Sequence, residues 1–210
     1  MQDYQSLKTW HVGDNIHGKT YEEWTGEFWK WLTNFPLNQS PGRSDSCDLS
    51  QSNPYVFFLE GYLDTDEGPG DPKENERQCI SIDSNKSILI AIINKLSTTE
   101  ENKDKTTNQL LLNQANEVIN KVISYSIQID GQEVKGERAY YPFSLKLENT
   151  NNFFGENIKV DTEAASDGYW LFLQPKSLEN GRHTIHIQGT GLDFKGNSFT
   201  TNVAYELEIS

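Results

Sequence analysis

At 210 residues, with 35% apolar and 23% charged residues, five Trp and ten Phe, the chain has enough apolar material for one sizeable core. It reads as a folded domain rather than a disordered segment. A net charge of −13 and an isoelectric point near 4.7 exclude partners that need clustered Lys and Arg, nucleic acid and anionic membrane among them, and leave cations or neutral surfaces. No apolar run approaches the roughly 18 residues of a membrane-spanning helix, and the longest, Ile88 to Ile93, suits a buried strand.

Residues 1–19 read as an irregular arm without the basic and apolar segments of a leader, so secretion would make this a mature form. Thr20 offers a helix N-cap with Glu23 at capping-box spacing, and the pattern runs from 21 to 33 before Pro36 stops it. At 100° per residue, Tyr21, Trp24, Phe28, Trp31 and Leu32 share one face, with Glu23, Glu27 and Lys30 opposite. Glu22 and Trp29 fall together at the edge of that stripe, a carboxylate beside a partly covered ring. Tyr55 to Leu59 is a short strand ending at Gly61, the acidic Asp64 to Glu76 stretch is a surface excursion, and Ile88 to Ile93 is a second strand.

The polar stretch Ser97 to Thr107 reads as a loop. Leu111, Ala115, Val118 and Val122 then mark a second amphipathic helix near 107–122, followed by a strand turning at Asp130-Gly131. Beyond it the period becomes two, in Phe143, Leu145 and Leu147 and again from Phe199 to Ile209, with Tyr169 to Leu173 apolar on both faces. Asn180-Gly181 is a hairpin signal leading into His183 to Gln188. The pattern predicts a mainly β, antiparallel β-sandwich of the jelly-roll or immunoglobulin-like kind over 1–210, with two helices packed on it or across one open end.

Chemistry-bearing motifs are sparse. Gly13-Asp14-Asn15-Ile16-His17-Gly18-Lys19-Thr20 fits the phosphate-loop pattern but lacks the preceding buried strand that such a loop needs. His183 and His186 sit three apart on a strand and so face opposite ways, which argues against a shared metal; His183, in phase with Ile185 and Ile187, is expected buried and hydrogen-bonded. The Asp64-Thr65-Asp66-Glu67-Gly68-Pro69-Gly70-Asp71 loop has calcium-loop composition without calcium-loop spacing, so the expectation is no cofactor, with calcium as the one cation in question. Cys47 and Cys79 lie in polar loops; a bridge between them would close a 33-residue loop and stabilise by about 3–4 kcal/mol, the other reading being two unrelated thiols.

Ordered segments resemble a family of uncharacterised, mostly secreted bacterial and archaeal proteins. They are Gly18-Lys19-Thr20-Tyr21-Glu22-Glu23-Trp24 with Phe28-Trp29-Lys30-Trp31; Cys47, Gln51 and Val56-Phe57-Phe58-Leu59-Glu60-Gly61; and Arg77-Gln78-Cys79 with Lys86 and the apolar run to Asn94. Asp130-Gly131, Asn151-Asn152-Phe153-Phe154-Gly155, Ser166-Asp167-Gly168-Tyr169-Trp170-Leu171 and Gly181-Arg182-His183-Thr184-Ile185 continue the match, which spans most of 18–190. The resemblance implies a secreted, periplasmic or cell-surface location, the disulfide and the sandwich, and it recasts Gly18-Lys19-Thr20 as a helix start. It carries no known activity.

Two functional expectations follow. The first is a non-catalytic extracellular or cell-envelope binding or structural domain that meets a small molecule, glycan or protein through Glu22, Trp29, Asp167 and Tyr169. The second is a secreted hydrolase of polysaccharide or similar substrates, with Glu22 and Asp167 as catalytic carboxylates and His183 as proton shuttle. An enzyme needs those three groups in one cleft; a binding domain does not.

Overall fold

The computed structural model describes residues 7–36, 39, 41, 51–61, 75–99, 108–192 and 196–210, with only the backbone described over 75–80. Cys47, the side chain of Cys79 and the Asp64 to Asp71 loop lie outside the described residues.

Two sheets share one apolar interior. The four-stranded sheet runs in the order β3 (Val56–Leu59), β5 (Ser87–Thr98), β9 (Val160–Leu173), β8 (Glu137–Leu147). The five-stranded sheet runs β4 (Asn75–Ile82), β11 (Ser198–Ile209), β10 (Gly181–Leu192), β6 (Val122–Ile129), β7 (Gln132–Val134). Ile88, Ile90, Leu171 and Leu173 of the first sheet meet Ile127, Ile185, Ile187, Val203 and Leu207 of the second in one buried cluster. This is the expected sandwich, mainly antiparallel, but β3 pairs parallel with β5 and β4 parallel with β11.

The other face of the four-stranded sheet is covered by α1 (Tyr21–Thr33). Thr20 caps it: its Oγ1 accepts from the Glu23 amide at 3.2 Å while Glu23 accepts from the Thr20 amide at 2.7 Å. Tyr21, Trp24, Phe28 and Leu32 pack on Phe58, Leu89, Trp170 and Phe172, which alternate along their strands with the residues of the inter-sheet core. The continuous apolar runs of β3, β5 and β9 follow from this, because those strands are buried on both faces.

One expectation about α1 is corrected. Trp29 is buried, only 3% exposed, and Trp31 is the half-buried ring. Small residues on the Trp29 side widen the buried face: Thr25, Gly26 and Thr33 are also covered. A Cβ at Gly26 would stand 3.1 Å from the Tyr141 ring, so glycine there lets the helix settle closely on β8.

The arm preceding α1 is more ordered than its composition suggests. Thr9 bridges to Leu173, the Trp10 amide donates to the Phe172 carbonyl at 2.8 Å, and β1 (Asn15–Ile16) and β2 (Lys19–Thr20) form a small hairpin. Its turn, His17-Gly18, has φ of 52° and 85°, so the phosphate-loop look-alike is a tight turn. The arm continues the line of β8 along β9, since β8 pairs with β9 only as far as Trp170.

The second helix, α2 (Asn108–Ile119), is slightly shorter than expected and buries Leu111, Ala115, Val118 and Ile119. It packs on β9, β5 and β8 and touches β10, closing the end of the sandwich where the five-stranded sheet stops. β5 extends through Ser97 and Thr98, both buried, where a loop was expected. Asp130-Gly131 makes the expected β6–β7 hairpin with φ of 51° and 76°. Asn180-Gly181 makes none: β9 and β10 belong to different sheets, and the chain crosses between layers there.

Candidate functional site

Along β6, β10 and β11 the inward positions carry the core, which sends Ser124 and Ser126, Gln188 and Thr190, and Thr200 and Asn202 to the outer surface of the five-stranded sheet. Register brings them into two rows across three strands. Ser126, Gln188 and Asn202 form one row and Ser124, Thr190 and Thr200 the other, separated by the inward row Tyr125, Gly189 and Thr201. The register slips between Thr190 and Gly191 because β6 carries the extra residue Ile123, and such a bulge bends the strand. The result is a trough of about 350 Å³ lined by these nine residues, at the lower end of the roughly 300–1,000 Å³ usual for ligand sites.

None of the nine is charged. In a chain with 23% charged residues, nine positions would carry about two charges, so the neutrality marks this surface off from the rest. Every outward side chain in the trough can both donate and accept a hydrogen bond. Asn202 is oriented from the adjacent outward row by His186, whose Nε2 lies 2.9 Å from its Oδ1. Tyr125, an inward residue, stacks on Tyr169 with ring centroids 4.3 Å apart, and its hydroxyl donates to the Gly136 carbonyl at 3.2 Å. Burial, then the neighbouring Tyr169, pushes the Tyr125 phenol up from its ordinary value.

The residues singled out from sequence do not gather in one site: Asp167 and Tyr169 both reach Arg138, while Glu22, Trp29 and His183 lie apart from them. Glu22 lies on α1, over one face of the four-stranded sheet, while Asp167 lies on the opposite face beneath α2. Trp29 is core, its indole donating to Ser166 Oγ at 2.9 Å. Tyr169 is half-buried in the stack just described. Asp167 is fully buried and held bidentately by Arg138, at 3.0 Å from Nε and 2.5 Å from Nη2, and the same guanidinium reaches Asn120 Oδ1 at 2.7 Å and Asn116 Oδ1 at 3.1 Å. The hydrogen bonds to Asp167 hold the Arg138 pKa above its ordinary value.

His183 is half-buried rather than buried, and it is hydrogen-bonded as expected. Nδ1 lies 2.7 Å from Asp130 Oδ2 and Nε2 lies 2.8 Å from the Glu179 carbonyl, so the ring ties the β6–β7 turn to the β9–β10 connection. It sits six residues along β10 from Gly189, about 20 Å from the level of Tyr169 and Asp167. The three groups of the hydrolase reading therefore share no cleft. Among the described residues no three His, Cys, Asp or Glu side chains gather as a metal site, and no described helix is long and apolar enough to cross a membrane.

No family model and no curated protein matches the chain. Among solved structures the chain is similar to a solution structure of amebosin, with 9% identity over 75% of this chain and 100% of that one, at a TM-score of 0.25. Likeness at that level carries no argument.

A separate polar pair joins the arm to β8. His11 Nδ1 lies 2.5 Å from Glu137 Oε1, and the Val12 amide donates to Oε2 at 3.0 Å. The hydrogen bond to Glu137 and then its charge raise the His11 pKa above 6.5. Burial pushes the Glu137 carboxyl up, but the hydrogen bonds from His11 and the Val12 amide, with the His11 charge, outweigh it and hold it below 4.5. A raised histidine contributes stability that is complete below its unfolded pKa and is lost as pH rises through the folded one. A lowered carboxyl contributes stability present above its unfolded pKa and lost as pH falls through the folded one. The pair therefore contributes most between about pH 4.5 and 6.5, and NMR titration of His11 will give a midpoint above 6.5 that returns toward 6.5 in Glu137→Gln.

Proposed function

We propose that this chain is a non-catalytic extracellular or cell-envelope binding domain that holds a neutral glycan in the trough on the outer surface of β6, β10 and β11. The observation that carries the reading is the pair of uncharged rows, Ser126–Gln188–Asn202 and Ser124–Thr190–Thr200, in a chain of net charge −13. Polyanions are repelled by the protein as a whole and meet no cation in the trough. A cation meets no carboxylate there, and an apolar ligand meets no apolar side chain on the outward rows. A polyhydroxylated, uncharged ligand matches side chains that donate and accept at once. The resemblance to mostly secreted proteins supports the location, and a Cys47–Cys79 bridge belongs to the same proposal.

Titration of isotope-labelled protein with neutral oligosaccharides tests this. Amide shifts will saturate and cluster at 124–126, 188–190 and 200–202. Gln188→Ala and Asn202→Ala will each weaken binding by about 2- to 10-fold, the worth of one or two exposed hydrogen bonds, with unfolding unchanged in Gln188→Ala and lowered by about 1 kcal/mol in Asn202→Ala, which also loses its bond to His186. Saturable shifts elsewhere, or none with any neutral glycan, sink the reading.

A further inference from the structure

Resting on the glycan reading of the trough, we infer that the bound segment is short, runs across the strands with one ring per strand, and consists of sugars with axial hydroxyls. The direction follows from what surrounds the two rows. Along the strands the next outward row is Gln128, His186 and Ala204; its centre is already engaged with Asn202, and Ala204 offers no polar group. In the other direction the bulge brings Ile123 to the surface, 66% exposed, in place of a further polar side chain. A chain lying along the strands would leave the two complete polar rows and meet Ala204 on one side and Ile123 and Leu192 on the other, with Gln128 and Ser198 as isolated polar contacts.

Across the strands the rows stay in register. Neighbouring strands lie about 4.8 Å apart, close to the length of one pyranose unit in an extended chain, and the two rows stand roughly 7 Å apart, so three rings fit side by side between them. The sheet is also three strands wide at this level among the described residues. β7 pairs only with Ile127 to Ile129, and β4 pairs with β11 only from Val203 onward. Three strands set three ring positions, with Gln188 and Thr190 flanking the central one.

The class of sugar follows from where the aromatic rings are. An all-equatorial pyranose presents two flat C–H faces, which bind best against a ring. The one aromatic residue lining the trough, Tyr125, turns its ring inward onto Tyr169. Recognition is left to hydroxyl-to-side-chain hydrogen bonds, with the Gln188 and Asn202 amides able to engage vicinal hydroxyl pairs. Axial hydroxyls make the faces of the ring polar as well as its rim, which suits a site that offers hydrogen bonds and no stacking.

Calorimetry of the full chain with two oligosaccharide series of one to six units tests this, one manno-configured with axial 2-hydroxyls and one all-equatorial and gluco-configured. Affinity will rise by about tenfold or more from one unit to three and stay flat from three to six, and the axial series will bind about fivefold tighter at equal length. A continued climb from three to six units, or equal or better binding of the all-equatorial series, with shifts still at 124–126, 188–190 and 200–202, overturns this inference and leaves the glycan reading standing. Absence of saturable binding in both series overturns both.

Discussion

Phe28→Ala will lower the unfolding free energy by about 3–5 kcal/mol, the usual cost of emptying a fully packed phenylalanine site. Phe28 is 0% exposed and its ring meets four others: Trp170 at 5.1 Å, Trp31 at 5.6 Å, Trp29 at 5.7 Å and Phe58 at 5.9 Å between centroids. Those partners come from α1, β3 and β9, so the ring joins the helix to two strands at once. The neighbours cannot collapse into the space, because Trp29 is tied to Ser166 and Trp170 and Phe58 belong to paired strands. With a slope of about 1–3 kcal/mol per molar urea, the midpoint will fall on the order of 2 M. Phe28→Leu keeps most of the apolar volume and will cost about 1–2 kcal/mol. A loss under about 1 kcal/mol for Phe28→Ala, measured by urea unfolding, would mean that α1 is not part of the cooperative core.

That helix was almost wholly legible in the sequence. Its cap, stop and stripe depend on residues three and four apart, and local spacing is visible in one dimension. The strands with strict alternation, β8 and β11, were legible for the same reason, and so was the Asp130-Gly131 turn. Trp29 was misplaced because the width of a helix's buried face depends on how closely its partner approaches, here through Gly26 against Tyr141. Asn180-Gly181 misled because hairpins and layer crossings use the same residues, and only long-range pairing separates them. The trough failed to register for a related reason. Gln188 and Asn202 each read as the solvent side of an alternating strand, and nothing local says that Ser126, Gln188 and Asn202 stand in one row. Trp29, Asp167 and Tyr169, which carry the conspicuous chemistry in the sequence, serve the fold instead.

Asp167 illustrates that structural use of a polar group, and removing either half of its ion pair will have unequal effects. Arg138→Ala leaves a carboxylate that is 0% exposed with its bidentate partner gone, and it also frees Asn116 and Asn120 of α2; the expected loss is about 3–5 kcal/mol. Asp167→Ala leaves a guanidinium that is 31% exposed and still has both asparagine acceptors, so water and α2 compensate much of the charge and the loss will be about 1–2 kcal/mol. Replacing both, Arg138→Met with Asp167→Leu, removes the desolvation cost with the attraction and will lie closer to the parent than Arg138→Ala does. Chemical denaturation reads all three, and hydrogen exchange at the Leu111 to Ile119 amides reads the loosening of α2 in Arg138→Ala. A double variant whose loss equals the sum of the two single losses would mean that the pair is not coupled, and unchanged exchange in α2 would mean that Leu111, Ala115, Val118 and Ile119 alone hold that helix.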